Sequence, residues 1–257
     1  MTKKILTFLI IIFSLVLIPQ LSSFASSNDS KEDNSKEKTI YLTFDDGPSK
    51  KVLPDILDTL KKEEVKATFF VIGEEIKGQE EVLKRVHEEG HSIGLHTVTH
   101  EKCNIYSSND CFLNEMLNNQ KIINETIGIS PTILRFPFGC NNSYYKLTHS
   151  MVNLLHKNNL KIYDWNVDSG DGANHNLNPS TYIKNSKSNK DMIILLMHCG
   201  NINKNSAKAL PEIISYYKSK GYTFKKIDES TPEHFHYIKR TSNKYSFFLF
   251  TNKLFTK

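Results

Sequence analysis

From Thr39 onward, short runs of apolar residues alternate with longer stretches in which apolar residues recur every three or four positions. The first pattern is typical of strands and the second of amphipathic helices. Strands are predicted at Thr39–Phe44, Ala67–Ile72, Ser92–Leu95, Thr132–Phe136, Lys161–Val167, Met192–Met197 and Tyr222–Ile227. Helices are predicted at Val52–Glu63, Gln79–Glu89, Asp110–Ile127, Tyr144–Lys157 and Ala207–Lys220.

Strands that alternate with helices in this way indicate βα units and a parallel sheet. The run Met192–Met197 is apolar throughout, as expected of a strand that is covered on both faces. Ser49 and Asn109 precede two of the predicted helices and are expected to cap their first turns. We therefore predict an α/β fold with one domain over residues 39–230.

The N-terminal 25 residues form a different pattern. Lys3 and Lys4 precede an apolar run from Ile5 to Ile18, and small residues follow up to Ala25. These three parts describe a secretory signal peptide, and the run is short for a membrane span of ~20 residues. The protein is therefore expected to be secreted. Association with the cell wall is an alternative, as is an N-terminal membrane anchor if the signal is not cleaved.

Two further segments stand apart by composition. Residues 26–38 contain no apolar side chain and are predicted to be a solvated, disordered linker. Residues 231–257 form a basic aromatic tail, for which contact with the wall or a membrane surface is one interpretation. The net charge of +5 is too small to indicate a nucleic-acid partner. A monomer is expected.

Polar residues that could take part in catalysis or metal binding follow the ends of five predicted strands. In chain order these residues are Asp45, Asp46, His96, His100, Arg135, Asp168, Asp171 and His198. When these residues are considered one at a time, a place in a turn or on a solvated surface is enough to explain each of them. Five segments that obey one rule point instead to a shared site, because a parallel α/β barrel gathers the C-terminal ends of its strands on its active face. One aspartate and two histidines there would make a metal site with open positions.

Five motifs in this order resemble those of the polysaccharide deacetylase family, which is the NodB-homology group or carbohydrate esterase family 4. They are TFDDG (Thr43–Gly47), HTVTH (His96–His100), RFPFG (Arg135–Gly139), WNVDSGD (Trp165–Asp171) and LMH (Leu196–His198). The resemblance covers roughly residues 39–228 and is nearest to bacterial peptidoglycan N-acetylglucosamine deacetylases. It implies a distorted (β/α)7 barrel as the single catalytic domain and a metal-dependent hydrolase that removes acetyl groups.

The resemblance also implies a metal site and a base. Asp46, His96 and His100 would bind a divalent metal, with Zn²⁺ expected first and Co²⁺, Mn²⁺ or Ni²⁺ as alternatives. Asp45 would be the general base that deprotonates water. Arg135 would keep Asp45 ionised and oriented through a charge-assisted hydrogen bond.

The remaining implied roles concern the leaving group and the substrate. His198 would protonate the leaving amine, with its pKa raised by Asp171. The substrate would be contacted by the backbone N–H of Phe138, by Leu196 and by Trp165. Gly172 stands where the family has an aromatic residue, so one wall of the acetyl pocket is expected to be missing. On that expectation, Gly172→Trp would raise activity.

Cys140 and Cys199 lie beside motif residues, and Cys103 and Cys111 lie between the second and third motifs. Their spacing is not that of a zinc site. Disulfides between Cys103 and Cys111 or between Cys140 and Cys199 are open alternatives to inert thiols.

The expected substrate is a polymeric amino sugar, with peptidoglycan first. Chitooligosaccharides, a poly-N-acetylglucosamine matrix and acetylxylan are alternatives within the same chemistry. A catalytically inactive carbohydrate-binding module of the same fold is a second hypothesis, which the complete set of motif residues disfavours. A metal-dependent phosphoesterase is disfavoured, because the haloacid-type motif has two aspartates separated by one residue. Asp45 and Asp46 are adjacent. A retaining glycosidase, which needs two carboxyls and no metal ligands, ranks last.

The signal-peptide pattern makes a testable prediction. The protein recovered from the culture supernatant or the wall fraction should begin near Ser26, because cleavage is expected after Ala25. N-terminal sequencing measures this directly. A cytoplasmic protein that begins at Met1 would contradict the prediction.

Overall fold

The computed structural model describes residues 37–235, so the predicted signal peptide, most of the linker and most of the tail lie outside the described residues. The β-strands are β1 (Thr39–Gly47), β2 (Thr68–Val71), β3 (Ser92–Leu95), β4 (Ile133–Leu134), β5 (Lys161–Ile162), β6 (Val167–Asp168), β7 (Met192–His198) and β8 (Thr223–Lys225). The α-helices are α1 (Leu53–Lys62), α2 (Gly73–Ile76), α3 (Glu80–Glu88), α4 (Lys102–Ile105), α5 (Asn109–Ile127), α6 (His149–Lys157), α7 (Pro179–Asn185) and α8 (Lys204–Ser219). Within residues 37–235, none of these helices has the length and apolar character of a membrane span.

Seven strands follow one path through a parallel sheet, in the order β5-β4-β3-β2-β1-β7-β6, and β8 pairs with the first residues of β1. Along β1 and β7, Thr43 lies opposite Leu196 and Asp45 lies opposite His198. The first and fifth motifs are therefore side by side at the ends of neighbouring strands. The sheet is curled, and the predicted distorted (β/α)7 barrel is confirmed.

The two edge strands of this path, β5 and β6, are consecutive along the chain. Five Cα–Cα steps separate Ile162 from Val167 and span at most about 18 Å when fully extended. The edges of a flat sheet of seven strands would lie about 29 Å apart. The sheet must therefore curl until its edges approach each other, which explains why this segment is two short strands and not the single predicted strand Lys161–Val167.

The predicted helix Tyr144–Lys157 begins later than expected, at His149. The side chain of Asn142 accepts hydrogen bonds from the backbone N–H groups of Tyr144 and Tyr145, at 2.7 and 2.8 Å. Because a local turn of this kind competes with helical hydrogen bonding, the segment before α6 stays irregular. At α5, Ser108 and not Asn109 is the capping residue, and its side chain accepts from the Cys111 N–H.

The central strands β1, β2, β3 and β7 are buried on both faces. Most buried side chains pack between the sheet and the helices, whereas a second set fills the other face of the strands: Tyr41, Phe70, Ile133, Tyr163, Ile194 and Ile227. This inner set fills the barrel as side-chain layers do in α/β barrels. The first residues of the predicted tail also pack against the barrel, where the Tyr163 hydroxyl donates to the Thr231 carbonyl at 2.6 Å.

Ser49 connects the loops after β1 and β7. Its buried hydroxyl donates to the Cys199 carbonyl at 2.7 Å and accepts from the N–H groups of Val52 and Leu53 at 3.3 Å. Ser49 therefore caps the first turn of α1 from four residues before Leu53. Ser49→Ala should lower the free energy of unfolding by about 1–2 kcal/mol. Urea denaturation measures the loss; the exposed Ser219→Ala is the control, and an equal change in both would contradict the assignment.

Candidate active site

A cavity of about 280 Å³ opens at the C-terminal ends of the strands. Its lining includes nine of the eleven candidate residues named from the sequence: Asp45, Asp46, His96, His100, Phe138, Trp165, Asp168, Leu196 and His198. The other two, Arg135 and Asp171, have no exposed surface and contact lining residues from behind. The structure thus brings the selected residues from five chain segments to one place.

Asp46, His96 and His100 present one ligand atom each, and these atoms lie within 4.8 Å of one another. The Oδ1 atom of Asp46 is 3.4 Å from His96 Nε2 and 3.5 Å from His100 Nε2. Ligand atoms that share one zinc ion at tetrahedral angles are separated by about 3.3–3.4 Å. Within residues 37–235, no other group of three such side chains meets this criterion.

The protonation of these groups also suits a cation. The Nδ1 atom of His96 lies 2.9 Å from the Arg135 carbonyl, which can only accept, so Nδ1 carries the proton and Nε2 keeps its lone pair. Burial lowers the pKa of His100 to about 4, assisted by His96. Burial opposes ionisation of Asp46, but His96, His198 and His100 hold its pKa well below the usual range. Asp46 Oδ1 is buried without a hydrogen-bond partner, as a cation ligand would be.

The backbone at the site is strained. Six non-glycine residues between positions 37 and 235 have a positive φ, and four of them are Asp46, Thr97, His100 and Phe138. Such conformations cost of order 1 kcal/mol or more each and persist where surrounding contacts fix them. Asp46 and His100 have φ angles of 66° and 57°, so two of the three candidate metal ligands are held in this conformation.

The loop that carries the two histidines is fixed by Glu115, a residue that the sequence analysis did not select. Its carboxylate accepts hydrogen bonds from the N–H groups of Val98 and Thr99, at 2.8 and 2.9 Å. Thr97 Oγ1 accepts from the His100 N–H at 3.1 Å. Glu115 lies on the long helix α5 among other polar residues, so nothing in the sequence distinguished it.

Arg135 is fully buried and uses its donors on four acceptors. Its Nη1 atom donates to Asp45 Oδ1 at 2.9 Å and to Thr43 Oγ1 at 2.7 Å. Its Nε and Nη2 atoms donate to the carbonyls of Tyr163 and Asp164, at 2.8 and 3.1 Å. Asp45 Oδ2 is thereby left towards the metal-ligand side, 3.8 Å from His96 Nε2.

His198 and Asp171 form the opposite side of the site. His198 Nδ1 is 2.8 Å from Asp171 Oδ1, and the His198 N–H donates to Oδ2 at 2.9 Å. Ser169 and Ser206 donate to the same carboxylate, at 2.8 and 2.5 Å. Burial opposes protonation of His198, but the hydrogen bond and charge of Asp171 raise its pKa to about 9. The imidazole is therefore protonated at neutral pH.

Gly172 lines the cavity beside the His198 ring, and the predicted gain from Gly172→Trp stays a prediction. A Cβ atom at this position would lie 2.3 Å from Cε1 and 2.7 Å from Nε2 of His198. The glycine therefore makes room for the His198 ring, and any larger side chain here requires that ring to shift.

None of the four cysteines, all of which lie within residues 37–235, forms a disulfide. The buried Cys140 Sγ donates to Asp164 Oδ2 at 2.8 Å, and the buried Cys199 Sγ lies 3.4 Å from the Asp45 carbonyl. Burial raises the pKa of Cys199 well above its usual value. Neither thiol belongs to the three-ligand group.

Comparison with known proteins gives one family. The family model for polysaccharide deacetylases matches residues 32–162. A peptidoglycan-N-acetylglucosamine deacetylase of Bacillus cereus is 36% identical over 206 residues, which are 77% of this chain and 72% of that protein. The peptidoglycan-N-acetylglucosamine deacetylase PgdA of Listeria monocytogenes is 38% identical over 75% of this chain, which spans only 38% of that protein. The crystal structure of a Bacillus cereus polysaccharide deacetylase superposes with a TM-score of 0.70 at 34% identity, covering 76% of this chain and 95% of that one.

The Gly172 geometry makes a testable prediction about His198. Gly172→Ala places a methyl group against the imidazole ring and should weaken its hydrogen bond to Asp171. The His198 pKa should then fall from about 9, because burial alone lowers it. NMR titration of the ring protons in chelator-treated protein measures the pKa. Ala173→Ser is the control at the neighbouring position, and an unchanged His198 pKa in Gly172→Ala would contradict the geometry.

Proposed function

The chain belongs to the polysaccharide deacetylase family, and on that premise we propose that it removes N-acetyl groups from N-acetylglucosamine units of peptidoglycan by metal-dependent hydrolysis. One observation supports this most strongly. A three-ligand group lies beside an arginine-bound aspartate and faces a protonated histidine across the same cavity. Amide hydrolysis needs a base for water and an acid for the leaving amine, and these side chains offer both.

We propose that Asp46, His96 and His100 hold a divalent cation, because one carboxylate and two imidazoles form a set that suits Zn²⁺. Co²⁺, Mn²⁺ and Ni²⁺ are alternatives for the same ligands. A bound cation would polarise the acetyl carbonyl and make nearby water more acidic. The orphaned Asp46 Oδ1 and the free lone pair of His96 Nε2 are the features of this chain that support a cation here.

Asp45 fits the role of general base. Its Oδ1 atom is occupied by Arg135, which leaves Oδ2 to take a proton from water that attacks the acetyl carbon. The arginine fixes the direction of the carboxylate through a charge-assisted hydrogen bond. The oxygen that becomes negative could accept from the Phe138 N–H, which bonds no backbone acceptor within residues 37–235.

His198 fits the role of general acid. Its proton passes to the sugar nitrogen as the carbon–nitrogen bond breaks, which releases acetate and a free amine. Asp171 is hydrogen-bonded to Nδ1 of His198, so Nε2 is the ring nitrogen that is available to the substrate. Leu196 and Trp165 line the cavity and would contact the acetyl group and the sugar ring.

The choice of peptidoglycan rests on the relatives, two of which carry that substrate in their names. Chitooligosaccharides and acetylxylan remain alternatives for the same chemistry. A catalytically inactive binding module would not need an intact base, acid and ligand group. Secretion is part of the proposal, because a wall polymer lies outside the cell and residues 1–25 carry the signal-peptide pattern.

Substitution of Asp45 and substitution of Asp46 should impair the enzyme in different ways. Asp45→Asn should keep near-normal metal content while kcat falls by ~10²–10⁴, the range for a lost general base. Asp46→Asn should lose the metal, and excess metal ion should restore part of its activity. Metal content by mass spectrometry and acetate release from peptidoglycan measure both effects.

Asp191→Asn, the same change at an exposed position, is the matched control. Loss of metal from Asp45→Asn, or an inactive Asp46→Asn that keeps its metal, would reverse the assigned roles. Parental rates in both variants would exclude catalysis at this site.

A further inference from the structure

A lysine is held between two aromatic rings at the rim of the cavity. The Nζ atom of Lys102 lies 4.0 Å from the ring centre of Tyr144 and 4.9 Å from that of Phe138. The two aromatic residues are 60% and 44% exposed. Cation–π contacts of this kind contribute about 0.5–1 kcal/mol each at exposed sites. The ammonium group therefore has a preferred position, which an isolated surface lysine lacks.

The cluster of Lys102, Tyr144 and Phe138 contacts the proposed metal site through Phe138. The Phe138 ring packs edge-on against His100, with 4.9 Å between ring centres, and lies 6.4 Å from the Tyr144 ring. Lys102 follows His100 by two residues and begins α4. Two ring contacts thus lead from a ligand histidine to the outermost aromatic residue. A sugar that neighbours the reacting unit on this side would meet Lys102 and Tyr144.

The charge of Lys102 is not neutralised within the protein as described. Among residues 37–235, no carboxylate lies within 4.0 Å of its Nζ atom. The three N–H donors of the ammonium need more acceptors than the two ring faces and the one hydrogen bond that Lys102 makes with Tyr144. An oriented, exposed cation beside a substrate cavity is suited to an anionic group of the ligand.

We infer that Lys102 binds a carboxylate carried by the unit next to the acetylated sugar, and thereby favours an acidic glycan over a neutral one. The inference rests on the proposed function, because peptidoglycan alternates N-acetylglucosamine with a sugar that carries a carboxyl-bearing lactyl ether. The stem peptide occupies this carboxyl as an amide in intact peptidoglycan, so an N-acetylglucosamine unit in the cavity has a free carboxylate on its neighbour where the strand is peptide-free. Chitin oligomers have no carboxylate and would gain nothing from Lys102.

Three glycans separate charge recognition from general binding. The first is the peptide-free peptidoglycan strand with free lactyl carboxylates, the second is the same strand with those carboxylates amidated, and the third is a neutral N-acetylglucosamine oligomer. For each protein, kcat/KM is measured by acetate release, and the ratio of the acidic to the amidated strand is compared. Lys102→Gln should lower this ratio about threefold to fivefold, the scale of an exposed ion pair.

The loss should appear in KM more than in kcat, because the contact is made in both the bound substrate and the transition state. Lys102→Arg, which keeps the charge and stacks on rings, should retain the parental ratio. Lys121→Gln removes the same charge from the exposed face of α5 and is the control. An unchanged ratio in Lys102→Gln, or the same fall in Lys121→Gln, would overturn the inference.

Binding of the three glycans, measured by calorimetry, separates this inference from the function itself. The inference is supported if Lys102→Gln binds the acidic strand more weakly than the parent does and binds the other two glycans as the parent does. This result would support it even if the parent released no acetate. Absence of acetate release from all three glycans by the metal-loaded parent would overturn the proposed function. Equal affinities of the parent for the acidic and the amidated strand would overturn the inference.

Discussion

The buried guanidinium of Arg135 is the interaction on which both the barrel and the site depend. It binds Thr43 and Asp45 at the end of β1 and the carbonyls of Tyr163 and Asp164 in the segment that connects β5 to β6. That segment closes the curled sheet. Removing one partner of a buried ion pair costs about 3–5 kcal/mol, because the other charge is left without compensation. Arg135 therefore orients the proposed base and also stabilises the segment at which the barrel closes.

The two sides of the cavity give similar groups different protonation states. Asp45 is bound by an arginine, whereas Asp171 is surrounded by two serine hydroxyls and by His198. The second arrangement keeps His198 protonated at neutral pH, while burial keeps His100 neutral. The two imidazoles thus differ in charge because Asp171 binds His198, whereas burial dominates at His100. The difference leaves a proton on His198 for the proposed acid step and a lone pair on His100 for a cation.

The sequence predicted which residues meet in the cavity, but it did not predict the contacts that fix them. The strand-end rule located Asp45, His96 and His198 because parallel strands end on one face, and the structure places all three in one cavity. Glu115 could not be selected, since its carboxylate reaches the histidine loop from a distant helix. The division of Lys161–Val167 into two strands also escaped prediction, because barrel closure is a property of the whole sheet. The His198 ring beside Gly172 could not be predicted either, because the two residues lie on different segments that only the folded barrel brings together.

The central claim is that this chain hydrolyses the N-acetyl amide of a wall glycan and needs a divalent metal to do so. The most direct measurement follows acetate and new free amino groups together, from purified peptidoglycan, with parent protein before chelation, after chelation and after Zn²⁺ is added back. The account predicts one free glucosamine amine for each acetate, loss of both after chelation, and recovery of both with the metal. Acetate without new amines, or release that chelation does not affect, would contradict it.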